Sequence, residues 1–182
     1  MSTASGHITV VALTMFLAAV AFLDLATHRI PNRLTVPATV LAFAIHYLTA
    51  GAAGALDSAQ GLGIGLAAFL PLFLAGGTGA GDVKAMAAVG AFLGPTGVFF
   101  AVLWTMIAGM VGALVVLVAA GGPGAIRELL RRWMFRAYVL CTTGHAAHVL
   151  PPEGDPGTRR FPYGLAVAAG TIVSLIWGAY RG

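Results

Sequence analysis

Asp24 and Asp82 are the two residues whose type and placement could do chemistry. Of the six acids in the chain, only these sit in or directly against hydrophobic runs. Asp24 ends the apolar stretch Ile8 to Leu23. Asp82 closes a glycine-rich turn, Gly76-Gly77-Thr78-Gly79-Ala80-Gly81, set between two others. Asp57, Glu128, Glu153 and Asp155 fall in loops or on a polar face. An ionised carboxylate beside hydrocarbon is costly, so an acid there is a functional candidate and is expected to have a partner. Two carboxylates sharing a site cannot both ionise easily, so one keeps its proton while the other is a base able to activate water. That pairing hydrolyses peptide bonds. Asp82 opens a helix, where the dipole favours the anion, and Asp24 lies toward a helix C-terminus, where it favours the acid. Asp82 is therefore the expected initial base, although each dipole contribution is only about 0.3–1 kcal/mol and such a dyad titrates as a pair.

Around the acids stand four candidate substrate-binding residues, Gly79, Gly81, Lys84 and Asn32. Glycines at 79 and 81 let the backbone turn sharply and let a substrate chain come close. The alternative is a tight helix connection, which is the preferred reading for Gly76 and Gly77. Lys84, two residues from Asp82, either tunes the acid, contacts the substrate backbone or snorkels to the interface. Asn32 follows Pro31 and either lines the entrance or is a plain turn residue.

The elements that must position these residues are membrane spans. The chain has 182 residues, 59% hydrophobic and 9% charged, with mean hydropathy +0.91, against roughly 25% charged in soluble domains. The net charge of +4 comes from ten cations spread over such a chain. They read as orientation signals rather than a nucleic-acid footprint. Cys141 is the single cysteine, which excludes an internal disulfide and a cysteine-rich zinc module.

The pattern predicts an all-α polytopic membrane bundle of about six helices, one domain over 1–182. The first span, Ile8 to Leu25, approaches the about 20 residues a bilayer requires. Met1 to His7 carries no Lys or Arg, so the span reads as a retained helix rather than a signal peptide. Leu34 to Ala50 and Ala59 to Ala75 follow, the latter rich in small residues that allow close helix approach. A short helix from Asp82 to Phe92 ends at Gly94-Pro95. Val98 to Ala120 closes at Gly121-Gly122-Pro123-Gly124, and Phe161 to Tyr180 is the last span. Within the polar segment 121–160, Ile126, Leu129, Leu130, Trp133, Met134 and Ala137 form one apolar stripe, and arginines face the other way. That is an amphipathic helix in the cytoplasmic membrane interface, expected as an anchor on anionic lipid ahead of a substrate dock or gate.

Alternating six helices puts Arg29, Arg33, Lys84 and the six arginines between 127 and 160 on one side, with Arg181 alone on the other. The rich side is cytoplasmic by the positive-inside rule. Both termini are then outside, and Asp24 and Asp82 face the cytoplasm at similar depth.

With the residues in view, Gly79-Ala80-Gly81-Asp82 resembles the GxGD signature of intramembrane aspartic proteases. Gly81-Asp82-Val83-Lys84, together with Asp24 and the following Arg29-Ile30-Pro31-Asn32-Arg33-Leu34-Thr35, resembles the type IV prepilin peptidases, and Pro162-Tyr163-Gly164 is similar to a further segment of that family. The resemblance implies an aspartic endopeptidase of the bacterial cytoplasmic membrane that removes the short leader of prepilins or pseudopilins at the inner face, with Asp24 and Asp82 as the catalytic pair. It implies no metal and no cofactor. The paired-cysteine insertion of the longer, methylating members is missing, so the chain looks like the compact members serving tight-adherence (Flp-type) pili, with peptidase activity and no methyl transfer.

Two other function classes compete. A small proton- or cation-coupled transporter or channel subunit would use the same aspartates, but predicts acids near the midplane and matching helix breaks in the two halves. A non-catalytic pilus assembly factor would share the scaffold. His145, His148 and Cys141 lie close in sequence but lack a third ligand or an orienting group, so neither a metal site nor a thiol nucleophile is expected there. His46 reads as a packed or hydrogen-bonded core histidine.

Overall fold

The structure is a computed structural model that describes residues 3–74, 77–143 and 163–181. Four helices make it up: α1 (Thr3–Thr27), α2 (Asn32–Leu74), α3 (Ala80–Thr143) and α4 (Tyr163–Arg181). There is no strand among the described residues. Three stretches, Gly6–Thr27, Asn32–Leu74 and Ala80–Val116, are long and apolar enough to cross a membrane, and Tyr163–Gly178 is a shorter apolar helix. Large apolar side chains such as Met15, Phe22, Leu48 and Met110 lie well exposed on the outside. That is the expected surface of a bundle whose solvent is lipid.

Four helices stand where the sequence predicts six spans, and the difference lies at two glycines. α2 joins the second and third expected spans through Gly51, whose backbone (φ 62, ψ −144) is not helical. The chain doubles back there. Gly54 lies against the carbonyl of His46, eight residues earlier, which in a straight helix would be about 12 Å away. α3 likewise joins the short fourth helix to the fifth span through Gly94, at φ +70. A Cβ on Gly90 would lie 3.1 Å from Val98 Cγ2, again across eight residues. Left-handed backbone of this kind is open to glycine at little cost.

The second bend leaves carbonyls to satisfy. Ala91 C=O would bond the amide of residue 95, which is Pro95 and has none. The Ser58 hydroxyl donates to it instead, at 2.9 Å. The ring N–H at His46 Nε2 donates to Phe92 O at 3.0 Å, the hydrogen-bonded core histidine expected from sequence. Ser58 and His46 come from opposite legs of α2, so both legs meet α3 at one level.

Small residues bring the legs together. Gly61 packs on the Gly90 carbonyl, and a Cβ on Gly65 would lie 2.5 Å from Met86 O. α4 crosses α3 at Gly170, against the backbone of Thr105. The core is built of Leu13, Leu17, Val20, Phe69, Met86, Val89, Phe92 and Val98, each almost wholly buried.

The expected close of the fifth span at Gly121 to Gly124 is not a helix end, because α3 runs on to Thr143. A proline removes one hydrogen bond and can bend a helix without stopping it. In the amphipathic stretch only Arg131 and Met134 have described side chains, and both are exposed. His145, His148 and Arg159-Arg160 lie outside the described residues.

Candidate active site

Three helix ends and one connection converge at one end of the bundle. Asp24 lies in the last turn of α1 and Asp82 in the first turn of α3, and both are buried, at 5% and 8% exposure. They are close enough to interact electrostatically. The acids the sequence pairs thus lie at the same end, not across the bundle.

Each is gripped through one oxygen. Asp24 Oδ2 accepts a hydrogen bond from the Gly164 amide at 2.7 Å, across 140 positions. Gly164 is in the first turn of α4, where backbone N–H groups have no helical partner and point outward. Asp82 Oδ2 accepts from the Gly79 amide at 2.9 Å and from the Thr78 hydroxyl at 3.0 Å. This is one half of a capping box, a third-position acid reaching back to the amide that precedes the helix. Among the described residues the Oδ1 atoms take no hydrogen bond. Both carboxylates face amides at a helix N-terminus, so the dipole difference expected between them does not separate acid from base.

The four binding candidates gather at the same end, in direct contact with protein. Gly79 supplies its amide to Asp82. Gly81 is thin because Ile30 is there: a Cβ on it would lie 3.1 Å from Ile30 Cβ and 3.3 Å from Ile30 N. Lys84 Nζ donates to Asn32 Oδ1 at 2.9 Å, on the exposed rim.

Three residues outside the sequence-derived set join the site. Thr78 bonds Asp82, Gly164 bonds Asp24, and the Tyr163 ring lies over Gly109 within electrostatic reach of Asp82. A hydroxyl four residues before an acid is a weak signal in sequence. Tyr163 and Gly164 were visible only as part of a family-like segment.

The sequence profile of the type IV leader peptidase family matches residues 11–114, more than half of the chain and a stretch that contains both acids. The chain belongs to this family. Membership gives it a leader-peptidase role at family level, with prepilin-type substrates and a membrane setting. The match stops short of Tyr163 and Gly164, whose place beside the two acids rests on the fold. No curated protein and no solved structure matches the chain.

Proposed function

We propose that this leader peptidase is a membrane-embedded aspartic endopeptidase that cleaves the short leader of type IV prepilins or pseudopilins at the cytoplasmic face. Asp24 and Asp82 are its catalytic pair. The observation that carries the reading is the burial of two interacting carboxylates at one end of the bundle, each fixed through Oδ2 by a backbone amide. With Oδ2 held, Oδ1 of each acid, which no described residue bonds, serves water or the scissile carbonyl. The ionised member takes a proton from the attacking water, and the protonated member supports the carbonyl oxygen and then serves the leaving amine. Gly79 keeps the turn slim where a substrate strand passes, and Gly81 lets Ile30 close against the turn that bears Asp82. The arginines and Lys84 supply the cytoplasmic orientation through the positive-inside rule.

The transporter alternative draws no support from acids at a bundle end rather than at mid-depth. The test is co-expression with small pilin-like proteins of the same genome and mass measurement of their N-termini, for the parent and for Asp24→Asn and Asp82→Asn. Asn keeps the size and the acceptor for the Gly164 or Gly79 amide but cannot exchange the proton. Both variants should accumulate in the membrane while cleavage falls by orders of magnitude, and the double variant should be scarcely worse than either single. Parent-rate processing by Asp82→Asn would refute the aspartyl mechanism.

A further inference from the structure

We propose that the Lys84–Asn32 hydrogen bond is a latch that sets the spacing of the two acids, which makes Lys84 and Asn32 positioning residues for leader cleavage. The inference rests on the acid-pair reading above. Neither acid's own bonds join α1 to α3: Asp24 is held by α4, and Asp82 by the two residues that precede its helix. Besides α4, which packs on both helices, the tie between them is the connection from His28 to Asn32. His28 has left-handed backbone (φ 50), and its amide closes onto the carbonyl of Asp24 at 2.9 Å. Two residues on, Ile30 is buried against Gly81, the neighbour of Asp82. Pro31 O then accepts from Leu34 N at 3.0 Å and starts α2. Asn32 reaches across to Lys84 at 2.9 Å. A path of contacts therefore runs from the turn bearing Asp24 to the turn bearing Asp82, and its polar crossing is the Lys84–Asn32 bond.

Ile30 against Gly81 is apolar packing without direction, so it resists separation but not sliding. The hydrogen bond is directional. It joins two exposed side chains whose loss would leave no buried group unpaired. A lysine that merely snorkels has no need of a neutral amide on another helix.

If the bond sets the acid spacing, releasing it lets the acids drift apart. Their mutual repulsion then weakens, and the pair divides less sharply into one acid and one base. The bell of log kcat/KM against pH should narrow. Other charged or titratable groups at this end are His28 and Arg29 in the connection, Arg33 on α2 and Tyr163 on α4. Asn32→Leu leaves all of them and Lys84 in place, so it separates loss of the bond from loss of a charge.

The experiment uses the full chain in proteoliposomes with a purified prepilin as substrate. Profiles of kcat and kcat/KM are measured for Asn32→Leu, Lys84→Met, the double variant and Lys84→Arg. The latch predicts that each single change lowers kcat by about tenfold or more, as small misplacements of catalytic groups do, with KM little changed. It predicts equal narrowing of the bell in both singles, a double no worse than either, and recovery in Lys84→Arg, which keeps a donor. Narrowing in Lys84→Met alone would assign the effect to charge and overturn the latch. So would a raised KM at unchanged kcat, which marks substrate contact, or parent profiles throughout. Should Asn32→Leu fail to accumulate, Asn32→Ala removes the same acceptor and carries the same outcomes. Full cleavage by the Asp→Asn variants would instead refute the acid pair itself, an outcome distinct from failure of the latch.

Discussion

Gly164→Ala is a substitution that local propensity favours and the site forbids. Alanine is a better helix former than glycine by about 0.5–1 kcal/mol, so α4 by itself should gain. A Cβ on Gly164, however, would lie 2.8 Å from Asp24 Cβ, 2.8 Å from its Oδ2 and 2.9 Å from its Cγ. Ordinary contact begins near 3.4 Å, so the carboxylate must withdraw by about half an ångström or more. Asp24 is buried and cannot swing into solvent. The withdrawal also lengthens the 2.7 Å bond from the Gly164 amide, and hydrogen bonds to charged groups contribute about 1.5–3 kcal/mol. A misplacement on this scale costs a catalytic group on the order of 10²-fold. Gly164→Ala should therefore accumulate in the membrane and process prepilin about a hundredfold more slowly in a reconstituted time course read by N-terminal mass. Gly178→Ala is the matched control, because open space surrounds that position on the same helix. Parent-rate cleavage by a well-accumulated Gly164→Ala would refute the argument that the α4 amide holds Asp24 in its working position.

Gly61→Ala should cost at least the about 1–3 kcal/mol of an overpacked core, since its Cβ would strike the Gly90 carbonyl and lie 2.9 Å from Gly94 C; thermal melting in detergent reads it, with Gly63→Ala, in open space, as control. Ser58→Ala removes the donor to Ala91 O and should lower stability by about 1–3 kcal/mol while the surviving fold cleaves normally, a split that melting and kinetics on one sample reveal. Asp57→Asn is exposed beside Ser58, at the other end of α3's first leg from Asp82, and should leave cleavage at the parent level. Cleaved pilin should carry a free N-terminal amine when this is the sole processing protein, and a methyl-mass increment in its spectrum would show transferase activity without the cysteine-bearing insertion.

The sequence by itself determined the membrane-helical class and singled out two acids, because both are readings of local chemistry. Runs of apolar residues can satisfy their backbone in lipid only as helices or closed barrels, and a carboxylate at the edge of such a run stands out at once. The breaks at Gly51 and Gly94-Pro95 were legible for the same reason, as was His46 as a bonded core residue. What local chemistry could not decide was whether a break ends a helix or folds it back. At Gly94 the bend is met by partners far along the chain: Ser58 and His46 supply donors to carbonyls that Pro95 and the bend leave without them. The same limit governs the site. Asp82's grip by Gly79 and Thr78 lies within four residues and follows from its place in the first turn of α3. Asp24's grip by Gly164 spans 140 positions, and the Lys84–Asn32 bond spans 52. Neither has a local signature, since an amide at a helix start and a polar pair on a rim are common everywhere. Only packing of the helix ends against one another brings them to the acids, and that packing is a property of the whole bundle.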